Sequence, residues 1–514
     1  MAEPYYITTP IYYVNDDPHI GHAYTTLACD VLARFKRMDG YRVHFLTGTD
    51  EHGQKVEKAA EAAGVDPQTF TDRVSQNFRD LAARMNFSND DFIRTTEDRH
   101  TRACQALWQK LLDAGDIYLG SYAGWYAVRD EAFYAESELT AGANGEKLAP
   151  SGAPVEWVEE PSYFFRLSAW GDRLLAWYDA NPDCIGPASR RNEVISFVKG
   201  GLQDLSVSRV SFKWGVPVPN DADHIMYVWL DALTNYATAV GYPDMKSEAF
   251  STFWPCNLHM VGKDILRFHA VYWPAFLMAA DIAPPQRIYA HGWWTNEGQK
   301  ISKSLGNVIK PYDLIERYGL DQVRYFLLRE VPFGNDGDFS HASMVSRMNH
   351  ELANDYGNLV QRVLSMINKN CDARVPEPGN FTDDDRALLQ PARQLVETMR
   401  PLMDRQAFHE ALEAIWQVVR AANAYVDHQA PWALRKTDPA RMATVLYVLA
   451  ETLRHLGLAT SPYMPEASDK ILDQLEIAAS DRVFSRMGEI GALQPGTALP
   501  KPQGVFPRYV EEPA

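Results

Sequence analysis

The stretch YYVNDDPHIGH (residues 12–22) sets two histidines three apart around Gly21, and the reading of the fold turns on it. Before it lies YYITT (5–9), which reads as a short strand. After it comes AYTTLACDVLARFKRMDG (23–40), in which Leu27, Val31, Leu32 and Phe35 fall on one helical face and Gly40 is suited to end the helix. YRVHFLTGTDEHG (41–53) reads as a second, buried strand leaving through Gly48, with a helix over 54–63 behind it. Strand, helix, strand in that order is a βαβ unit, which implies a parallel sheet.

In such sheets ligands bind beyond the carboxyl ends of the strands, where helices begin. His19–His22 occupies such a place. A helix start offers free N–H groups and the positive end of the dipole, and Gly21 admits close approach to the backbone. Packing, a metal and a phosphate grip are three readings of the pair. The metal needs a third ligand, and His52 on another loop is the nearby histidine candidate. On this motif alone, histidines that merely cap a helix remain the stronger reading. GQKISKSLGNVI (298–309), after the strand-like IYAHGWW, adds Lys300, Ser302, Lys303 and Ser304 beside Gly306. Two lysines and two hydroxyls there can neutralise a polyphosphate, or form a solvated loop.

Between 119 and 225 the pattern turns short and strand-like, with the turn-rich GANGEKLAPSGAP (142–154) inside it. This reads as an insertion, with Trp125, Tyr126, Phe133, Tyr134 and Trp157 expected in its core. The α/β pattern returns with LHMVGKDILRFHAVYW and RIYAHGWW. Past 340 the strands cease: Leu352, Tyr356, Leu359, Val363 and Ile367 repeat at spacings of three and four, and similar segments follow as in a helical bundle. Composition is ordinary for a globular chain, 46% hydrophobic and 23% charged. Five scattered cysteines without a C-x-x-C pair argue against a disulfide framework and a cysteine-based zinc site. No signal-peptide pattern opens the chain, and the apolar run 270–280 is too short to span a bilayer, so a cytoplasmic protein without membrane contact is expected. A net charge of −17 excludes blanket attraction to nucleic acid; an RNA partner would need local basic and aromatic patches.

Together, H-I-G-H at the first crossover and K-I-S-K-S late in the same α/β region resemble the two signatures of the class I aminoacyl-tRNA synthetases. GTDEHG (48–53), YVWLDALTNY (227–236), VGKDILRFHAVYWPA (261–275) and QAPW (429–432) narrow the resemblance, over essentially the whole chain, to the methionyl-tRNA synthetase family. The fold this implies is α/β: a Rossmann-like, doubly wound parallel-sheet catalytic domain (1–118 and 226–340), an inserted connective domain (119–225), and an all-α anticodon-binding helical bundle (341–514).

The resemblance also implies roles. Methionine would lie against Ile11, Tyr13, Trp229, Ala232, Tyr236 and His269, with Asp50 holding its ammonium group; aromatic and aliphatic walls suit a polarizable thioether. His19, Gly21 and His22 would meet ATP, Lys303 and Lys300 its phosphates, and Gly262, Asp264, His291 and Trp293 the adenosine. Asp231 is left at the rim or in a structural role. Asn358, Arg362 and Trp432 match anticodon-reading positions, where splayed bases meet aromatic and guanidinium planes.

The expected reaction is activation of L-methionine by ATP to methionyl-adenylate, with pyrophosphate released. Transfer then follows to the 3′-terminal adenosine of tRNA(Met), the initiator tRNA included, with no covalent enzyme intermediate. Magnesium would arrive with the phosphates. Departures from the family pattern are informative. The insertion holds only Cys184, so no structural zinc is expected; K-I-S-K-S replaces K-M-S-K-S; and no appended tRNA-binding module follows the bundle, which favours a monomer. The competing readings are a class I synthetase for another small or apolar amino acid, an adenylate-forming ligase needing no tRNA, and an RNA-binding relative with a dead site.

Overall fold

In a computed structural model that describes residues 2–14, 17–130, 132–142, 145–301 and 306–511, the first apolar runs form the strands Pro4–Thr8 and Arg42–Asp50. They are neighbours in a seven-stranded sheet, whose order continues outward from Pro4–Thr8 through Leu258–Gly262 and Ile288–His291 to Ile185–Gly186. On the other side Arg42–Asp50 pairs with both Tyr12–Tyr13 and Asp91–Arg94. The pairings run parallel, with Ile7 opposite Leu258, Gly262 opposite His291 and Tyr13 opposite Asp50. By internal contacts the chain forms two compact units. One comprises Pro4–Pro18 and Val43–His291 and holds this sheet; the other comprises Met1–Glu3, His19–Arg42 and Gly292–Ala514.

The second strand does not leave the sheet at Gly48 but continues to Asp50. Glycine serves there because Asp91–Arg94 comes so close that a Cβ at position 48 would lie 2.0 Å from the Ile93 carbonyl oxygen. Backbone cannot yield as a side chain can. Gly48→Ala is therefore expected to cost at least about 3 kcal/mol, read as a lower melting temperature and less soluble protein. Unaltered melting would contradict this register.

Within the insertion, Ile117–Ala127 and Glu156–Phe165 pair antiparallel, flanked by Ala132–Tyr134 and Leu205–Ser206. Alternation divides the expected core. Tyr126 is buried, Trp125 and Tyr134 are half-buried, and Trp157 is 54% exposed. Trp125 and Trp157 meet edge-on across the strands at 5.3 Å, with the Lys147 ammonium 4.0 Å over the Trp125 ring, so their face is shared with water. The Phe133 side chain lies outside the described residues. From within 119–225, Ile185–Gly186 joins the main sheet, between the helices Gly171–Ala180 and Ala188–Lys199.

In the other unit, helix Ile20–Met38 buries Leu27, Val31, Leu32 and Phe35, and Gly40 follows it at φ +89. Phe35 meets Phe484 at 4.9 Å, and the buried Asp30 receives Arg324 at 2.7 Å and Arg34 at 2.8 Å. The helical region holds a π-helical segment, Arg347–Gly357, running into Asn358–Asn370. Asp383–Arg393, Leu395–Asp404, Phe408–Gln429, Pro439–Thr460 and Pro465–Gln474 follow. Leu352, Tyr356, Leu359, Val363 and Ile367 are all buried, as their spacing requires. Among the described residues no helix is long and apolar enough to cross a membrane.

Candidate active site

His19 stands just before the helix in extended backbone (φ −122, ψ 178). Its Nδ1 accepts the Gly21 N–H at 3.1 Å, while the Nδ1 of His22 accepts the His19 N–H at 3.1 Å. Two histidines thus form a reciprocal capping box, work that Ser and Glu usually do. Because each Nδ1 is an acceptor, each neutral ring carries its proton on Nε2. The rings stack at 3.9 Å. Burial, and then the neighbouring His19, push the His22 imidazole well below its ordinary range, so it stays neutral and keeps that tautomer. Gly21 fits because a Cβ there would lie 2.9 Å from His19 Cε1. The arrangement presents two N–H donors at the positive end of a helix, the chemistry of an anion site.

The Ile20 N–H donates to the Ile309 carbonyl at 3.1 Å, which ties this helix start to the segment just after the lysine loop. Gln299–Lys300 pairs antiparallel with Trp294–Asn296 through a turn in which Glu297 (φ 50) and Gly298 (φ 75) are both left-handed. Lys300 is exposed there, and Asn307 Nδ2 donates to its carbonyl at 3.1 Å. Ser302, Lys303 and Ser304 lie outside the described residues. Trp293 is 47% exposed, with its N–H on Asp336 Oδ1 at 2.8 Å.

In the sheet-bearing unit, Tyr13 and Asp50 are register partners near the carboxyl ends of adjacent parallel strands, and Asp50 is buried. Ile11, Tyr13, Trp229 and Ala232 share one apolar cluster with Tyr227 and Val228. Trp229 lies flat on Phe268 at 3.4 Å. A π-helical turn, Phe268–Tyr272, carries His269, whose Nδ1 donates to the Ile265 carbonyl at 2.9 Å. Its Nε2 is therefore an acceptor, and the Tyr236 hydroxyl donates to it at 2.6 Å. Burial lowers the His269 pKa to about 4, so the pair is neutral throughout the physiological range. Gly262 and His291 end two neighbouring strands, and the exposed Asp264 sits so near Gly262 that a Cβ there would lie 2.5 Å from its Oδ1.

Asp231 is interior. Its two oxygens accept from His52 Nδ1 and His100 Nε2, each at 2.7 Å, and Cys104 Sγ lies 3.2 Å from that same His100 nitrogen. Burial would raise the Asp231 carboxyl, but the two histidines hold it well below the usual range. His100, Cys104 and Asp231 bring potential metal-ligating atoms within 4.8 Å of one another, yet the 2.7 Å separations are those of hydrogen bonds. Sequence reasoning missed His100 and Cys104, whose spacing of four on helix Asp98–Asp113 was their one signal. It also missed Arg209, 2% exposed, whose guanidinium lies 3.7 Å over the Tyr227 ring and donates to Ser206 Oγ at 2.6 Å.

In the bundle, helix Phe408–Gln429 stops at Ala430, left-handed at φ 42, and Pro431 opens the next helix. This corner leaves Trp432 51% exposed, with the Arg362 guanidinium 5.6 Å from its ring and bonded to Asp427 at 2.8 Å. Asn358, exposed, lies one turn before Arg362. Arg441 braces the corner, binding Gln429 Oε1 at 2.8 Å and both oxygens of Asp385 at 2.6 Å.

A parallel sheet in one unit and, in the other, a histidine-capped helix start and a helical bundle are the parts expected of a class I aminoacyl-tRNA synthetase. Comparison with known proteins agrees. The family model of class I (M) tRNA synthetases matches residues 5–364, and that of the anticodon-binding domain of methionyl tRNA ligase matches 375–513. A methionine–tRNA ligase of Brucella suis is 58% identical over 99% of this chain and 98% of its own, and one of Mesorhizobium japonicum is 58% identical over 99% of each. The Mycobacterium tuberculosis methionyl-tRNA synthetase in complex with methionyl-adenylate superposes with a TM-score of 0.96 at 56% identity, covering 98% of this chain and 100% of that one. The chain belongs to the methionine–tRNA ligase family.

Proposed function

We propose the following division of labour for a methionine–tRNA ligase, which activates methionine with ATP and transfers it to tRNA. Asp50 binds the α-ammonium group, and Ile11, Tyr13, Trp229, Ala232, Tyr236 and His269 surround the thioether side chain. The neutral Tyr236–His269 pair adds no charge that would have to be desolvated beside an apolar ligand. His19 and His22 donate from Nε2 to phosphate oxygens, Gly21 lets them approach, and Lys300 and Lys303 neutralise the polyphosphate. Gly262, Asp264, His291 and Trp293 contact the adenosine.

The methionine carboxylate attacks the α-phosphorus, the bond to the pyrophosphate breaks, and the terminal ribose hydroxyl of tRNA later attacks the activated carbonyl, releasing AMP. The substrate is its own nucleophile, so the protein aligns and stabilises charge. Magnesium comes bound to ATP as part of the substrate. A monomer in the cytoplasm, built of the four segments read above, completes the proposal. The observation that carries it is the histidine capping box, because it fixes both tautomers as donors at a helix N-terminus.

Asn358, Arg362 and Trp432 read the anticodon in this account. Trp432→Ala should raise the KM for tRNA by about ten- to hundredfold, the worth of one stacked base, and leave methionine-dependent ATP–pyrophosphate exchange intact. Loss of both activities would make the indole structural.

A further inference from the structure

Asp231 is buried in the sheet-bearing unit, and its carboxylate joins three elements of that unit. One oxygen accepts from His52 and the other from His100, each at 2.7 Å. His100 belongs to helix Asp98–Asp113, and Asp231 to helix Val228–Thr238. His52 stands two residues past Asp50, in a turn that is itself pinned. Trp214 Nε1 donates to the Glu51 carbonyl at 2.5 Å, and the Gly53 N–H donates to the Trp214 carbonyl at 3.0 Å. The Glu51 carboxylate takes Arg94 at 2.7 and 2.9 Å, and the Trp214 ring meets His52 edge-on at 5.5 Å. The bridge therefore runs from the turn beside Asp50 to the helix that carries Trp229, Ala232 and Tyr236. With successive side chains about 100° apart, those three fall within about 60° of one another on that helix. Asp231 stands about 100° or more around the helix from each of them.

We propose that Asp231 is a positioning residue that sets the reach of the amino-acid pocket, by fixing the distance from the Asp50 carboxylate to the walls on helix Val228–Thr238. The inference rests on the methionine pocket assigned above. Asp50 holds the ammonium group at one end, and the walls enclose the thioether at the other. The span between them then measures the length of the side chain. Asp231 acts from behind the helix and touches no substrate atom. Apolar packing would join the same elements without the desolvation penalty of a buried carboxylate. It would also let them slide, whereas two hydrogen bonds of 2.7 Å fix both direction and length. Placement on that scale matters, because a shift of about 1 Å at a site can lower the rate by about a hundredfold.

The test compares L-methionine with its S-ethyl homologue in ATP–pyrophosphate exchange, using the full chain with His52→Ala and with His52→Asn. Alanine removes the bond to Asp231, while asparagine keeps an amide N–H close to the place of Nδ1. One methylene is worth about 10–200-fold between substrates of a fitted pocket. The ratio of kcat/KM for methionine to that for the homologue should fall at least about fivefold in His52→Ala. The fall should come through a raised KM for methionine, with the KM for ATP unchanged. His52→Asn should recover most of the ratio. Asp231→Asn added to His52→Ala should lower the ratio by less than about twofold more, because both substitutions break one bridge. Should alanine prevent folding, His52→Gln takes its place: its amide sits one bond further out, and the same fall is expected. An unchanged ratio in a folded alanine or glutamine variant would overturn the proposal. So would equal rises in the KM values for methionine and ATP, the mark of a brace with no bearing on chain length, or a ratio that asparagine does not restore. Inability of the parent protein to exchange with methionine would instead overturn the ligase reading itself.

Discussion

His22→Ala is expected to slow methionyl-adenylate formation by about 10²–10³-fold, the usual cost of removing one preorganised donor to developing charge, while methionine binding stays near normal. The substitution removes two things at once. The Nε2 donor is lost, and so is the Nδ1 that accepts the His19 N–H and fixes the entry to the helix. His22→Gln separates them, because a glutamine at the same position can accept that N–H and so restore the cap without the imidazole. If the placement of the imidazole donor matters, Gln restores stability and at most part of the rate, through its own amide N–H2. The pH profile provides a second check. Burial and His19 lower the His22 pKa, so its protonation falls well below the ordinary histidine range. Adenylate formation should show no inflection near neutrality from this residue. An inflection that disappears in His22→Gln would mean that the imidazole titrates and that the tautomer argument fails.

Asp50→Asn should raise the KM for methionine by about 10²–10³-fold, since unpairing a buried charge from its partner costs 2–5 kcal/mol or more and each 1.4 kcal/mol is about a factor of ten. The KM for ATP should change little. Asparagine keeps the volume and the hydrogen-bonding shape, so a melting temperature close to the parent is part of the expectation. Steady-state exchange kinetics with methionine varied at saturating ATP, and the reverse, would measure it. Equal rises in both KM values would show that Asp50 braces the strand end rather than meeting the ammonium group.

How far the sequence reveals this structure depends on the length scale of each feature. The amphipathic helices of the bundle were legible because Leu352, Leu359 and Val363 repeat with the helical period, and burial follows from that period. The first βαβ order was legible for the same reason. Gly48 misled: a glycine in an apolar run signals both a strand exit and a close interstrand approach, and only the position of the Ile93 carbonyl distinguishes them. Ile185–Gly186 was illegible because two residues carry no periodicity, their place coming from the strand Ile288–His291 beside them. Trp157 shows the limit of composition: in a two-faced sheet it lies opposite Trp125, the neighbour of the buried Tyr126, and so takes the other face.

Among the candidate site residues, those on contiguous motifs could be named from the sequence, whereas contacts made to distant partners could not. Asp231, undecided from sequence, is fixed by His52 and His100, which lie 179 and 131 positions away. No local signal encodes such a bridge. The same holds for the flat contact of Trp229 with Phe268, which comes from a π-helical turn that propensity does not announce. The pairing of Tyr13 with Asp50, by contrast, needed only parallel register between two recognisable strands.

The most direct test of the central claim is ATP–pyrophosphate exchange by the purified, metal-chelated protein, assayed without tRNA against each proteinogenic amino acid in turn and with magnesium restored alongside ATP. The account predicts exchange with methionine and background rates with the others, because Asp50 and the apolar cluster around Tyr13 and Trp229 are read as a pocket for an amino acid with a thioether side chain. Absence of exchange with methionine, or faster exchange with a different amino acid, would contradict it.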